Sequence, residues 1–137
     1  MSTEEYLNIE FARARKNLHN KERAAFGSKD NLATWFVEKL KSQNFSCYYC
    51  RTSIFDINKL INANLLKTRA VRGDGCRGPV LEIDKNDNTY VPDNCVLSCY
   101  YCNNDKSYTS TMKDYKEFFG ENRHRYFEIL LKKLHNN

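Results

Sequence analysis

What this sequence lacks narrows the field first. Nothing in its 137 residues approaches the roughly 20 consecutive apolar residues that a membrane-spanning helix needs. Its opening, "MSTEEYLNIE", has neither the basic start nor the apolar stretch of a secretory leader. Together these absences set the expectation of an intracellular, cytoplasmic protein with no membrane segment. An internal repeat is missing too. The string "SCYYC" occurs twice, but "RTSIFDIN" and "NNDKSYTS", which follow the two copies, share almost nothing. No βαβ pattern precedes Cys47, which counts against a thioredoxin-like dithiol, whose Cys-x-x-Cys opens a helix after a strand. A chain of this length buries one core, so residues 1–137 are expected to form one domain.

Six cysteines are present, and a reducing compartment makes metal ligation a better account of paired cysteines than disulfides. A Cys-x-x-Cys turn places two sulfurs on one ion at about 2.3 Å, and tetrahedral zinc needs a second such pair. Cys47 with Cys50 and Cys99 with Cys102 supply both, predicting one structural zinc per chain. The 48 residues between Cys50 and Cys99 exceed the spacer of a simple zinc ribbon, so a folded element must lie between the two turns. Cys95 reads as a small buried hydrophobe, and Cys76 has no assignment.

The formal net charge is +5, and the cations cluster. Arg13, Arg15, Lys16, Lys21 and Arg23 stand together with only Glu22 among them. Lys67, Arg69, Arg72 and Arg77 crowd "KTRAVRGDGCRG" against Asp74. Two basic segments suit a phosphate-facing surface, and equally a solvated helix face plus a charged loop.

Periodicity predicts a helix over 2–19, with Ser2 and Glu5 at capping-box spacing and Leu7, Phe11, Ala14 and Leu18 on one face. After a break at Gly27, a second helix spans about 30–41, burying Leu32, Trp35, Phe36 and Leu40. Asp56 caps a weaker third, with Ile57, Leu60, Ile61 and Leu65 as its apolar positions. "PVLEID" reads as a strand, Cys95 to Ser98 as another, and a short helix follows through Lys106. Two helices, 111–119 and 121–134, close the chain with Gly120 between them. The order of elements is α+β, divided as helices over 1–45, a zinc-braced centre over 46–107 and helices over 108–137.

The string "LEIDKNDNTYVPDNCVLSCYYCNNDKS" sets an acidic residue at a strand end, an Asn before the next strand, and Cys-x-x-Cys-Asn with a following Lys-Ser. This series resembles the HNH, or ββα-metal, endonucleases, and within them the PacI-like HNH restriction enzymes, over about residues 44–107. The resemblance implies a ββα-metal core and hydrolysis of phosphodiester bonds in double-stranded DNA, of restriction or homing type, by a homodimer with one active site per chain. It assigns Asp84 and Asn103 as ligands of a catalytic Mg²⁺ or Mn²⁺, a hard ion that suits oxygen donors. Asn94 braces the turn between the strands, with Tyr90 and Pro92 shaping it.

Lys85 departs from the family pattern, standing where the water-activating histidine belongs. A protonated lysine cannot accept a proton. Lys85 either holds the phosphate electrostatically or marks an inactive copy, and the base is then sought in Tyr49, His19 or Glu82. Candidate DNA contacts are Arg13, Arg15, Lys16, Arg69, Arg72, Arg77 and Lys106. Two other functions fit the cysteines: a four-cysteine module that binds DNA or RNA without cutting it, with Tyr48, Tyr49, Tyr100 and Tyr101 packing or stacking, and a zinc-scaffolded protein adaptor.

Overall fold

The computed structural model describes residues 1–19, 21–70, 76–86 and 90–136; for residues 19, 21, 22, 70, 76 and 77 only the backbone is described. The chain is a mixed α+β structure, in which helices surround two small sheets and a cluster of four cysteines that could hold a metal ion.

Helix α1 (Thr3–Arg15) starts at Ser2, whose hydroxyl accepts from the Glu5 amide as the capping pattern requires. It ends four residues early, because the chain tightens into 3-10 turns over Lys16–His19 and Lys21–Phe26. Gly27, at φ +100°, breaks the run, and Ser28 caps α2 (Lys29–Ser42). Helices α1 and α2 pack together, with Ala14, Leu32, Ala33, Phe36 and Leu40 buried. Glu10 is buried among these apolar residues. It is paired to the Arg13 guanidinium at 2.7 Å, which satisfies a charge that burial would otherwise penalise.

Helix α3 (Ile54–Asn62) begins earlier than the sequence suggests. Ser53, not Asp56, is its cap, and Asp56 sits in the first turn, where its charge suits the helix dipole. Beyond this helix, β1 (Arg69–Ala70) pairs antiparallel with β2 (Cys76–Arg77).

The central unit is β3 (Glu82–Lys85) paired antiparallel to β4 (Cys95–Ser98), followed at once by α4 (Tyr100–Lys106). The register sets Glu82 opposite Ser98 and Lys85 opposite Cys95. One more bond, from the Asn86 amide to the Asn94 carbonyl at 2.9 Å, continues the ladder into the 3-10 turn Pro92–Asn94. Cys95 is buried, as its setting in the strand predicts.

The outer edge of β4 is covered by side chain and loop. Gln43 copies a strand residue, accepting from the Leu97 amide at 3.1 Å and donating to the Leu97 carbonyl at 2.9 Å. The Tyr48 amide donates to that same carbonyl at 2.9 Å. This pins the first cysteine turn against the second strand.

The C-terminal region differs from the sequence expectation at Gly120. Helix α5 (Met112–Tyr115) runs through a π turn, Lys116–Gly120, directly into α6 (Glu121–His135), and Gly120 has ordinary helical angles. The glycine is needed for close approach, not for a break: a Cβ there would collide with the Tyr49 carbonyl oxygen.

Candidate functional site

The chain brings Cys47 and Cys50 from the turn before α3 to Cys99 and Cys102 at the start of α4. All four sulfurs lie within 4.8 Å of one another and all four residues are buried. Sulfurs at about 2.3 Å around a tetrahedral ion are about 3.8 Å apart. The 4.0 Å between Cys50 and Cys99 fits that figure and is far from an S–S bond of about 2.05 Å.

The charges point the same way. Hydrogen bonds from Cys102, Cys47 and Cys99 hold the Cys50 thiol far below its ordinary range, while burial pushes Cys99 well above it. Burial opposes charge on such thiols when no cation is near. A dication would let all four ionise. The donor set, all sulfur and buried, could hold a metal ion such as zinc.

The C-terminal helices hold the first cysteine turn by three successive carbonyls. Lys116 donates to the Tyr48 carbonyl at 2.5 Å and lies 4.0 Å over the Tyr48 ring. Gly120 abuts the Tyr49 carbonyl. His124 Nδ1 meets the Cys50 carbonyl at 2.7 Å, with its Nε2 2.7 Å from Glu128. Arg51 and Glu121 form an exposed ion pair beside them.

Between the two cysteines of that turn, Tyr49 points inward and donates a short hydrogen bond to Asp84 Oδ2. Burial and then the Asp84 carboxylate push the phenol far above its ordinary range, so Tyr49 keeps its proton at neutral pH and acts here as a donor. Its ring packs edge-on against buried Tyr115 at 5.1 Å.

Asp84 opens onto a cleft of about 350 Å³ whose lining includes Lys85, Asn86, Tyr90, Asn103, Lys106 and Tyr108. Its Oδ2 also meets the Lys106 ammonium at 3.3 Å, and both residues are nearly inaccessible, at 8% and 4% exposure. Asn103, on α4, donates through Nδ2 to Glu82 at 3.1 Å. That bond orients the amide of a residue that lines the cleft. Lys85 lies 4.1 Å over the Tyr90 ring, and Arg23 approaches the same ring at 5.1 Å. Burial pushes the neighbouring Cys95 thiol up to about 11, so it stays neutral.

Comparison with known families, with curated proteins and with solved structures finds no match to this chain.

Of the residues singled out in the sequence, Asp84, Lys85, Asn103 and Lys106 therefore share one cleft, with Tyr49 behind Asp84 and Asn94 at the foot of β4. Arg13 is held internally, by Glu10 and by the Leu81 carbonyl at 3.2 Å. Arg15 pairs with Asp30 at 2.8 Å on the surface, and Lys16 and Arg69 are exposed. The side chains of His19 and Arg77, and all of Arg72, lie outside the described residues. Sequence reasoning missed Gln43, Lys116 and His124. The only signal for them is indirect: polar residues at helix positions facing a turn whose carbonyls need partners.

Proposed function

We propose that the chain is a metal-dependent endonuclease of the HNH type, hydrolysing phosphodiester bonds in double-stranded DNA. The observation that carries this reading is the antiparallel pair β3–β4 followed by α4, which sets the Asp84 carboxylate and the Asn103 amide on one cleft. These are two oxygen donors from opposite sides of a turn, each oriented by a further residue. Such a donor set suits Mg²⁺ or Mn²⁺, which favour oxygen and keep part of their water shell. A divalent ion held there polarises a phosphate and stabilises the leaving 3′ oxygen.

The remaining roles belong to the chain's own groups. Tyr49 orients the Asp84 carboxylate through Oδ2, which Lys106 also pairs with at 3.3 Å. Glu82 fixes the Asn103 amide. Lys85, half-buried against Tyr90, supplies positive charge where a phosphate would enter, in keeping with an electrostatic role. The four-cysteine cluster, filled by zinc, anchors the start of α4 and hence Asn103. Exposed Lys16, Arg15 and Arg69 extend the basic surface for the duplex. Cutting both strands at one place calls for two such sites, which a two-fold homodimer supplies.

The test is a plasmid incubated with purified, zinc-loaded protein and Mg²⁺ or Mn²⁺. Nicked or linear DNA is expected with the wild type and none with Asp84→Ala or Asn103→Ala. Binding without cleavage under every divalent ion would overturn the nuclease reading in favour of a non-catalytic nucleic-acid module. That second reading draws on Asp84 already having a cation of its own in Lys106.

A further inference from the structure

Resting on the reading of the cleft as a divalent-ion site, we propose that Lys106 is a resident cation that holds Asp84 until a substrate phosphate draws the ammonium away, so that metal and substrate load together. Sequence position alone makes Lys106 one more surface lysine at the end of a short helix. Its surroundings say otherwise. It is 4% exposed, its ammonium is 3.3 Å from Asp84 Oδ2, and its side chain forms part of the wall of the cleft.

Three constraints meet at that ammonium. An unpaired lysine is costly in such a setting, so Lys106 stays paired wherever it goes. Its partner in the absence of substrate is Asp84, whose Oδ2 also accepts from Tyr49, so the carboxylate is already neutralised before any metal arrives. A divalent ion on the same carboxylate meets a like charge and binds more weakly than it would to an unopposed aspartate. The cleft offers one way out. A phosphate entering beside Lys85, Asn103 and Lys106 carries negative charge of its own, and the flexible lysine stem can turn its ammonium to that phosphate while Asp84 takes the metal. Metal and substrate are then positively coupled, each raising the affinity of the other by the same factor. Lys106 acts in this scheme on both the Asp84 carboxylate and the entering phosphate.

The experiment measures Mn²⁺ affinity by paramagnetic resonance of the free ion. It uses zinc-loaded wild type, Lys106→Met, Lys106→Gln and Lys106→Arg, each without and with a short phosphorothioate DNA duplex. Zinc content and thermal melting establish that each variant is folded, and Gln serves if Met is not. Without DNA, the Met and Gln variants are expected to bind Mn²⁺ about tenfold or more tightly than wild type, and the Arg variant like wild type. Adding duplex is expected to tighten Mn²⁺ on wild type by a larger factor than on the Met variant, whose remaining gain is the contact between ion and phosphate alone. Equal Mn²⁺ affinity in wild type and the neutral variants overturns the proposal while the metal reading stands. No Mn²⁺ binding by any of the proteins, with or without DNA, overturns both.

Discussion

The four-cysteine cluster and the cleft at Asp84 are built from the same few residues of backbone, yet they are opposite kinds of site. The cluster is sealed and all sulfur. The cleft is open to solvent, lined by oxygen and nitrogen, and brings its own cation in Lys106. A sealed soft site favours an ion that never leaves, and its binding free energy adds to folding. On the function proposed above, an open cleft with an internal counter-ion would take an ion that comes and goes. Tyr49 joins the two, its backbone in the cysteine turn and its hydroxyl on Asp84.

The largest effect that would test this contrast is on the cluster. Removing the metal with a strong chelator, or Cys102→Ala, is expected to abolish the folded state, because thiolate zinc sites contribute on the order of 10 kcal/mol against a typical total of about 5–15. Circular dichroism melting and zinc content, one ion per chain, measure it. A chain that melts unchanged after chelation would erase the distinction.

At the cleft the expected behaviour is different, because its charges compensate each other. Asp84→Asn strands the Lys106 ammonium in a buried place and is expected to cost about 3–5 kcal/mol, with zinc retained. Adding Lys106→Met to that chain removes the orphaned charge, and most of the stability should return while DNA cleavage stays lost. A double variant no more stable than Asp84→Asn alone would mean that the two residues are not energetically coupled, whatever their separation.

How much of this was readable in advance depends on the range of the interaction. The cysteine ligands were legible because a Cys-x-x-Cys turn fixes two sulfurs locally, and Cys95 to Ser98 because a short apolar run announces a buried strand. Ser53 was passed over as a cap in favour of Asp56 because both lie ahead of an apolar run, and only the hydroxyl's bond to the Phe55 amide decides between them. Gly120 was misread as a helix break, since a tertiary collision with the Tyr49 carbonyl leaves no trace in local sequence. The same blindness made Lys106 a surface contact and hid Gln43, whose bonds to Leu97 span 54 residues.

The brace on the cysteine turn supplies a smaller test. Gly120→Ala forces α6 away from the Tyr49 carbonyl and is expected to cost about 1–3 kcal/mol as an overpacking change. His124→Ala, losing one bond to the Cys50 carbonyl, should cost about 1 kcal/mol. Denaturant titration of zinc-loaded protein measures both. If the brace also aims Tyr49, Gly120→Ala should lower DNA cleavage more than His124→Ala at equal zinc content.

The smallest expected effect lies on the basic surface, where neither site is involved. Arg15 is half-exposed, and its partner Asp30 is more exposed still, so the 2.8 Å pair between them is solvated on both sides. Such pairs contribute at most about 1 kcal/mol, and Arg15→Ala should leave melting and zinc content nearly unchanged. Its consequence is expected in binding: if Arg15 neutralises one phosphate, the slope of log affinity for duplex DNA against log salt should fall in magnitude by about 1. Arg13 provides the internal control. Its guanidinium is committed to Glu10 and to the Leu81 carbonyl, so Arg13→Ala should instead lower stability, by leaving buried Glu10 without its cation, and should not change the salt slope. Measured side by side, the two arginines separate charge that faces a partner from charge that holds the fold, although they stand two residues apart on the same helix.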